Sequence, residues 1–185
     1  MNIKNYINGD FSPPLLDHWI DNYNPSDGQV YGQIPNSTKE DIEKAYSAAE
    51  AAFPDWSSTS LEKRSQILSK IAQLINKKLP ELARAETKDN GKPLQLAKAI
   101  DIPRAAANFQ FFANAITQFT SDAHESIGLD AMNYTLRQPL GVVGCISPWN
   151  LPLYLFTWKI APAIASGNCV IAKPSEITPI TAYLL

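Results

Sequence analysis

Two continuous apolar runs near the end of the sequence are typical of buried strands. They are GVVGCIS, from Gly141 to Ser147, and NCVIAK, from Asn168 to Lys173, and such runs suit strands that are covered on both faces. The apolar segment between them, from Leu153 to Ser166, predicts a helix, and Gly167 follows it where helices commonly end. Strand, helix and strand in this order predict a βαβ unit, and therefore a parallel sheet with a right-handed crossover.

The first part of the chain alternates short β-prone pieces with turn residues. In YINGDF, from Tyr6 to Phe11, the dipeptide Asn8-Gly9 tolerates positive φ and suits a type I′ hairpin. The stretch DNYNPSDGQVYGQIP repeats the pattern, with Pro25 and Gly28 as turn residues. We therefore expect the chain to begin with small antiparallel strands.

Capping patterns predict two helices after these strands. Ser37-x-x-Glu40 has the form of a capping box, and Pro54 is expected to end the helix that it begins. Thr59-x-x-Glu62 has the same form and is expected to cap the second helix.

A third and longer helix is predicted from LQLAKAIDIPRAAANFQFFANAITQF, where Pro103 is expected to introduce a kink. Three aromatic side chains of this segment are predicted to pack in the core rather than bind a cofactor: Phe109, Phe112 and Phe119. Beyond it, NYTLRQ alternates like an exposed strand.

Charge and apolar content exclude several classes of protein. The 185 residues carry a formal net charge of −2, so they provide no basic field for nucleic acid. The N-terminus has no apolar secretory region, and the longest apolar run, Leu151 to Ala165, contains Lys159 and is shorter than the roughly 20 residues of a membrane-spanning helix. We expect a cytoplasmic protein with neither a nucleic-acid nor a membrane partner.

The two cysteines give no sign of metal or redox chemistry. Cys145 and Cys169 each stand alone inside an apolar run, without the CxxC or histidine spacing of a zinc site. Free cysteines of this kind are usually small core residues. The sequence therefore predicts two buried thiols and no metal site.

Polar residues follow both predicted parallel strands. Ser147-Pro148-Trp149-Asn150 comes after the first, and Lys173-Pro174-Ser175-Glu176 comes after the second. In open parallel sheets, ligands bind in the crevice outside the carboxyl ends of the strands. The two polar segments are therefore expected to share one crevice.

Lys173 and Glu176 admit two interpretations. They could clamp a ribose, with the carboxylate accepting from the hydroxyls and repelling a 2′-phosphate, which favours NAD over NADP. Alternatively, Lys173 marks the exit of the strand into water and Glu176 sits at a helix N-terminus, where the helix dipole favours a carboxylate. No GxGxxG motif is present to decide between them.

Asn150 and Lys159 are also ambiguous on their own. The amide of Asn150 carries two donors and no charge, which suits it to stabilise an oxyanion, but an asparagine here could equally cap the helix that follows. Lys159 lies inside that apolar helix, either snorkelling to water or buried with a depressed pKa.

The C-terminal pattern predicts that the sheet is incomplete. PSEITPITAYLL begins a helix after the second parallel strand, and no further strand follows. Two parallel strands do not make a doubly wound sheet. We therefore expect these residues to be the front part of a longer protein.

The segment from Pro139 to Ala182, which contains SPWN and KPSE, resembles the NAD(P)-dependent aldehyde dehydrogenase superfamily. YINGDF, YNPSDGQVYGQIP and NGKPLQLA resemble the opening strands and a helix junction of the same family. The resemblance implies an α/β fold, with an incomplete Rossmann-like parallel-sheet cofactor domain, N-terminal helices and a β oligomerisation arm. It divides the chain into 1–120, strands and helices of the cofactor domain; 121–139, the arm; and 140–185, the truncated βαβ part.

The resemblance also implies site residues. Asn150 would supply the oxyanion-hole amide, and Lys159 would belong to the inner helix near the proton path. Residues on the nicotinamide side of NAD would be Ile146, Ser147, Pro148 and Trp149. Residues at the adenosine ribose would be Lys173 and Glu176, with Ser175 between them.

Family members attack the aldehyde with a cysteine thiolate, form a thiohemiacetal whose hydride passes to NAD, and use a glutamate to activate water. The family places both residues later in a chain more than twice this length. Cys145, inside the strand before SPWN, would have a raised pKa and be inert. We therefore predict that the 185 residues alone are inactive.

AIDIPRAAANFQFFA and SPWNLPLYLFTWKIAPA most resemble the branch that acts on 2-aminomuconate and 2-hydroxymuconate semialdehydes. These substrates carry carboxylates, for which a guanidinium is a bidentate partner. Arg104 would then contact the substrate carboxylate, although a surface ion pair is the alternative.

Three functions follow: a homo-oligomeric aldehyde dehydrogenase with a small-molecule aldehyde substrate, a non-catalytic cofactor-binding or oligomerisation module, and a CoA-acylating relative.

Overall fold

Two antiparallel hairpins open the chain in the computed structural model, which describes residues 2–185. Strand β1 (Asn5–Ile7) pairs with β2 (Asp10–Ser12), and β3 (Trp19–Tyr23) pairs with β4 (Val30–Pro35). The φ angles at the first turn are 54° for Asn8 and 86° for Gly9, and a type I′ turn requires both to be positive. The predicted N-terminal hairpins are confirmed.

Helices make up most of the next eighty or so residues, with short joints between them. A π-helical turn, Ala97–Asp101, joins the fourth of them directly to the fifth. The helices are α1 (Lys39–Ser58), α2 (Leu61–Lys77), α3 (Leu79–Asn90), α4 (Leu94–Leu96) and α5 (Ile102–Ile116).

Both predicted capping boxes are wrong by one residue. The N-cap of α1 is Thr38, whose backbone N–H donates to Asp41 at 2.8 Å. Asp41 also accepts from the backbone N–H of Leu15 at 3.0 Å, so a contact distant in sequence selects this carboxylate. The N-cap of α2 is Ser60, whose hydroxyl accepts from the N–H of Lys63 at 3.2 Å.

Pro54 does not end α1, which continues to Ser58. A proline inside a helix removes one backbone hydrogen bond, but the last turn of α1 has a tertiary anchor. The indole N–H of Trp56 donates to the carbonyl of Ile164 at 3.1 Å. This contact with the βαβ unit explains why the helix extends beyond the proline.

The long helix is confirmed, and the irregularity that was expected at Pro103 lies just before it, in the π-helical turn. Such a turn is a recognised cause of helix bending. Phe109 is 1% exposed and Phe112 packs against the core. Phe119 is 62% exposed, so its assignment to the core is wrong. The helix α5 ends at Ile116, and beyond it the helical spacing no longer directs a side chain toward the core.

The main hydrophobic core lies between α2, α5 and the helix of the βαβ unit, α6 (Pro152–Ala165). Its largest members are fully buried, and each of the three helices contributes at least one of them: Leu68, Ile75, Phe109 and Leu153. The N-terminus of α6 is therefore anchored in the core by Leu153.

The predicted βαβ unit is confirmed. Strand β7 (Val142–Ile146) runs parallel to β8 (Cys169–Lys173), and α6 connects them. Gly167 closes α6 with a φ of 92°. The strands are less covered than expected: Ile146 is 71% exposed, because within residues 2–185 no further strand flanks the pair.

A hairpin between α5 and β7 carries exposed apolar side chains. Strands β5 (Ala123–Ser126) and β6 (Ala131–Tyr134) are antiparallel and joined by a 3₁₀ turn. The strand predicted from NYTLRQ, residues 133–138, is confirmed only at Asn133 and Tyr134, because β6 begins at Ala131 and ends at Tyr134. A last helix, α7 (Ile180–Leu184), follows β8. Across residues 2–185, the helices are all too short or too polar to cross a membrane.

Candidate functional site

The carboxyl ends of β7 and β8 lie side by side. Ile146 pairs with Lys173 in the parallel register, and the N–H of Ser147 donates to the carbonyl of Lys173 at 3.0 Å. The two polar segments therefore leave the same edge of the sheet, as the sequence predicts. Trp149 of the first segment and Ile177, next to the second, line one cavity of about 200 Å³.

Asn150 lies in the turn between β7 and α6. The N-cap of α6 is Leu151 rather than Asn150, so the structural alternative of a capping asparagine is wrong. Asn150 is exposed, and its side-chain amide donates no hydrogen bond to any of residues 2–185. Both amide donors remain available to a ligand.

Lys173 and Glu176 form an ion pair, with Nζ 2.7 Å from Oε2. Both side chains are more than half exposed, and the hydrogen bond from Lys173 lowers the pKa of Glu176. The helix-dipole alternative for Glu176 is not supported, because the N-cap of α7 is Pro179.

The backbone around Glu176 is held by buried polar contacts. The amide of Asn22 in β3 donates to the carbonyl of Glu176 at 2.8 Å. Ser175 is 7% exposed, and its carbonyl accepts from the N–H of Thr178 at 3.2 Å. The loop is therefore fixed by a strand far away in sequence, while the charged ends of Lys173 and Glu176 face solvent.

The two cysteines are free thiols. Burial raises the pKa of Cys145, with the charge of Lys159 acting in the opposite direction. Burial also raises the pKa of Cys169. Cys145 is 7% exposed and Cys169 is half-buried, so the prediction of a buried thiol is confirmed for Cys145 and wrong for Cys169. That Cys145 is chemically inert stays a prediction. Lys159 lies on α6, half-buried and facing the strand of Cys145.

Arg104 is exposed on α5, and its guanidinium carbon is 5.0 Å from the ring centre of Tyr154 on α6. Within residues 2–185 no carboxylate pairs with it, so the surface ion pair is not found. The guanidinium borders a broad depression of about 520 Å³, which Ile100 and Pro103 also line. Stacking leaves the guanidinium edge free for an anion.

A buried charged cluster, which the sequence pattern does not reveal, contacts the Asn150 turn and consists of Glu86, Lys92 and Asp101. Glu86 is 0% exposed and Asp101 2%. Burial raises the pKa of Glu86 to about 7, with Lys92 opposing the rise. Charged residues in helical stretches are usually solvated, so the sequence carries no signal that these three are buried.

A second buried acid supports α7. Asp89 accepts from the N–H of Ile180 at 2.7 Å and from the hydroxyl of Tyr31. Burial raises the pKa of Asp89 to about 6, and these two donors act in the opposite direction. Burial also raises the pKa of Tyr31. The segment after β8 is therefore tied to α3 and β4.

A parallel βαβ unit with polar loops at its strand ends places the chain among α/β proteins, whose open parallel sheets bind ligands at their carboxyl edge. Comparison with known proteins makes the class specific. The model of the aldehyde dehydrogenase family matches residues 14–185. The chain therefore belongs to the aldehyde dehydrogenase family.

Individual relatives cover nearly all of this chain. The 2-aminomuconic semialdehyde dehydrogenase of Bos taurus is 54% identical over 183 residues, which are 99% of this chain and 37% of the relative. The 2-hydroxymuconic semialdehyde dehydrogenase of Pseudomonas sp. (strain CF600) is 43% identical over 187 residues, 99% of this chain and 38% of the relative. The chain thus spans little more than a third of the length of these relatives.

Solved structures of this family superpose on nearly the whole of this chain, which again matches little more than a third of their length. The crystal structure of PnpE in complex with nicotinamide adenine dinucleotide superposes with a TM-score of 0.93 and 36% sequence identity. The superposition covers 98% of this chain and 37% of that one. The α/β fold expected from the sequence is confirmed.

Proposed function

We propose that these residues form part of an NAD-dependent aldehyde dehydrogenase that oxidises a carboxylated semialdehyde to the acid. The observation that carries this proposal is the adjacency of the β7 and β8 ends, which brings the turn of Asn150 and the Lys173–Glu176 pair to one edge of the sheet. Ligands of open parallel sheets bind at this edge.

Asn150 is the proposed oxyanion donor. Its amide is exposed and makes no hydrogen bond with another described residue, so no internal bond has to break before it binds a ligand oxygen. A neutral donor at a developing oxyanion stabilises the transition state more than the ground state. Lys159, which lies on α6 and faces β7, is proposed to lie near the path of the proton.

The residues at the sheet edge fit NAD. The exposed carboxylate of Glu176 offers acceptors to ribose hydroxyls and repels a 2′-phosphate, while the Lys173 ammonium offers donors. Ser175 orders the loop between them. NAD, when bound, accepts a hydride from the substrate. The side chains proposed to border its nicotinamide end follow β7 or end it: Ile146, Ser147, Pro148 and Trp149.

The substrate is proposed from the relatives and from Arg104. Two similar proteins are named for muconic semialdehydes, and such compounds carry carboxylates. The guanidinium of Arg104 has no carboxylate partner within residues 2–185 and borders a depression large enough for a small molecule. We propose that it binds the carboxylate of the substrate.

The nucleophilic cysteine and the glutamate base are proposed to lie outside these 185 residues, as the family resemblance implies. Burial disfavours the thiolate of both Cys145 and Cys169. Neither thiol is therefore suited to attack an aldehyde.

The complete natural polypeptide that carries these residues is expected to oxidise 2-hydroxymuconate semialdehyde with NAD, measured as NADH absorbance. The 185-residue chain, with Cys145→Ala and Cys169→Ala as a matched variant, is expected to show no turnover. Turnover by the variant chain would refute the assignment of the nucleophile. Acyl-CoA formed in place of the acid when CoA is supplied would favour the CoA-acylating alternative.

Glu176→Gln in the complete polypeptide is expected to weaken NAD binding by about ten-fold, because an amide accepts less strongly from ribose hydroxyls than a carboxylate. It should also narrow the preference for NAD over NADP. Fluorescence titration with each cofactor measures both effects. Glu50→Gln, which removes an exposed carboxylate on α1, is the control; equal affinity for NAD in all three proteins would contradict the ribose clamp.

An oligomerisation arm, and the division of the chain into three parts, are also proposed. Apolar side chains on and after the β5–β6 hairpin are strongly exposed: Ile127 at 84%, Leu129 at 81% and Leu136 at 71%. Exposed apolar patches of this kind favour self-association, which supports an oligomerisation arm at 121–139 between the helical part, 1–120, and the βαβ part, 140–185. The same observation favours the non-catalytic oligomerisation module.

The two free thiols are in keeping with a cytoplasmic location.

A further inference from the structure

The backbone of the turn that carries Asn150 contacts the ammonium group of Lys92. The Nζ of Lys92 lies 3.5 Å from the backbone carbonyl oxygen of Asn150, 2.6 Å from Oδ2 of Asp101 and 3.6 Å from Oε1 of Glu86. The Lys92 side chain is 11% exposed. A single buried cation thus contacts the proposed oxyanion residue and two carboxylates.

The position of this ammonium is set by rigid elements. Gly91 ends α3 with a φ of 74°, and the N–H of Lys92 donates to the side chain of Asn90 at 3.1 Å. Asp101 ends the π-helical turn and is 2% exposed. The lysine is therefore held at its base by the helix end and at its tip by the ion pair.

Glu86 adds a second constraint on the same turn. Its carboxylate faces the backbone N–H of Leu153 and the hydroxyl of Thr181. Leu153 lies in the first turn of α6, where backbone N–H groups have no partner inside the helix and a carboxylate is favoured by the helix dipole. Neither oxygen of Glu86 has a hydrogen bond of normal geometry among residues 2–185, so Lys92 is its main partner.

Lys92 matches its surroundings in number and shape. An ammonium has three donors in a compact tetrahedral arrangement, and three acceptors surround it here: Asp101, Glu86 and the carbonyl of Asn150. A planar guanidinium is larger and cannot direct its donors to three such points. Arginine is therefore not a conservative replacement at this position.

We propose that Lys92 is a positioning residue, which holds the turn of Asn150 through its carbonyl so that the side-chain amide points steadily at the reacting oxygen. The proposal rests on the proposed function, because it assigns to Lys92 an effect on catalysis through Asn150. Lys92 itself touches neither substrate nor cofactor in this role. A displacement of about 1 Å in a catalytic group lowers a rate by up to 10²-fold.

A double-mutant cycle in the complete polypeptide tests this coupling. Lys92→Met is expected to lower kcat on the order of 10²-fold in the parent but less than about 3-fold in Asn150→Ala, with little change in the affinity for NAD. Lys92→Arg is expected to restore little activity. Lys77→Met, an exposed lysine at the end of α2, should leave kcat unchanged.

A merely structural role gives a different result, namely an equal fold-loss in both backgrounds, and that outcome overturns the proposal. Lys92→Met leaves two carboxylates buried without a cation and could fail to fold for that reason. In that case the double variant Lys92→Met with Asp101→Asn, which removes both partners of the ion pair, replaces Lys92→Met in the cycle.

Hydrogen exchange gives a readout that does not depend on activity. In Lys92→Met, or in the double variant, the amides of Asn150, Leu151 and residues 153–155 are expected to exchange about ten-fold faster, while those of β8 keep their protection. The N–H of Leu155, bonded to the carbonyl of Leu151 at 2.9 Å, reports the first turn of α6 directly. Unchanged exchange in this turn overturns the proposal.

The two hypotheses fail separately. Full activity of Asn150→Ala, or a complete polypeptide with no dehydrogenase activity, contradicts the proposed function and removes the catalytic effect assigned to Lys92. Impaired Asn150→Ala together with an additive loss in Lys92→Met leaves the proposed function standing and overturns the positioning role alone.

Discussion

Asn150→Ala in the complete polypeptide is expected to lower kcat for aldehyde oxidation by about 10²- to 10³-fold, the loss typical of an oxyanion donor. The structure favours a large effect because the amide is exposed and makes no hydrogen bond with another described residue. The turn around it is fixed, with Ser147 bonded to β8 on one side and Leu153 buried on the other. The backbone that carries the donor is therefore preorganised.

The effect should fall on kcat rather than on binding. An interaction made only in the transition state lowers kcat and kcat/KM together and leaves ground-state affinity unchanged. Steady-state kinetics and NAD titration of the same preparation separate the two. Asn150→Asp should be impaired at least as much, since a carboxylate has no donor when ionised and repels an oxyanion.

Asn76→Ala, an exposed asparagine in α2, provides the matched control and should keep parental kinetics. If Asn150→Ala retains kcat within about 3-fold of the parent, the amide is not an oxyanion donor of the size that such groups provide. The assignment of this sheet edge would then rest on the Lys173–Glu176 pair alone.

Local patterns were enough to predict the βαβ unit. The two apolar runs around β7 and β8, and Gly167 at the end of α6, depend only on neighbours in the sequence. Parallel pairing then follows from the connection through α6. Because the ends of parallel strands meet, the adjacency of the Asn150 turn and Lys173 could be deduced without coordinates.

Choices made by distant contacts could not be predicted. By residue type Ser37 is a better helix cap than Thr38, yet the N-cap is Thr38, whose partner Asp41 is also held by the backbone of Leu15. Phe119 follows the apolar period of α5 in the sequence but lies beyond the end of the helix, where the guanidinium of Arg137 stacks on its ring.

The buried charges beneath Asn150 show the same limit. Glu86, Lys92 and Asp101 occupy helical or turn positions where charge ordinarily indicates solvent. Their burial is produced by the packing of α3 and the π-helical turn against the start of α6. A pattern of charge along one chain carries no record of that packing.

Stability is expected to depend on pH through Glu86. Burial raises its pKa from 4.5 to about 7; Lys92, Thr181 and the N–H of Leu153 oppose this rise, while Asp101 adds to it. Between these two values the folded protein binds more protons than the unfolded chain. Stability is therefore highest below pH 4.5 for this group, and is lost as the pH rises to about 7.

Glu86→Gln should remove this dependence, because glutamine does not titrate. Relative to the variant, the wild type is expected to lose on the order of 3 kcal/mol of unfolding free energy across that interval, from 1.36 kcal/mol per unit of pKa shift. Guanidinium titrations of the complete polypeptide from about pH 5 to about pH 8 measure the difference. Burial raises the pKa of Asp89 to about 6. Asp89 is present in both proteins, so its contribution to the pH dependence cancels in the difference between them.

The control for this prediction lies on the same helix. Glu81→Gln removes a carboxylate whose side chain is 48% exposed, and its pH profile should run parallel to that of the wild type. Parallel profiles for Glu86→Gln as well would mean that Glu86 is ionised in the folded protein over the whole range. The Lys92 ammonium would then face a fully ionised Glu86 as well as Asp101, and the turn of Asn150 would rest on a stronger ion cluster than the raised pKa of Glu86 implies.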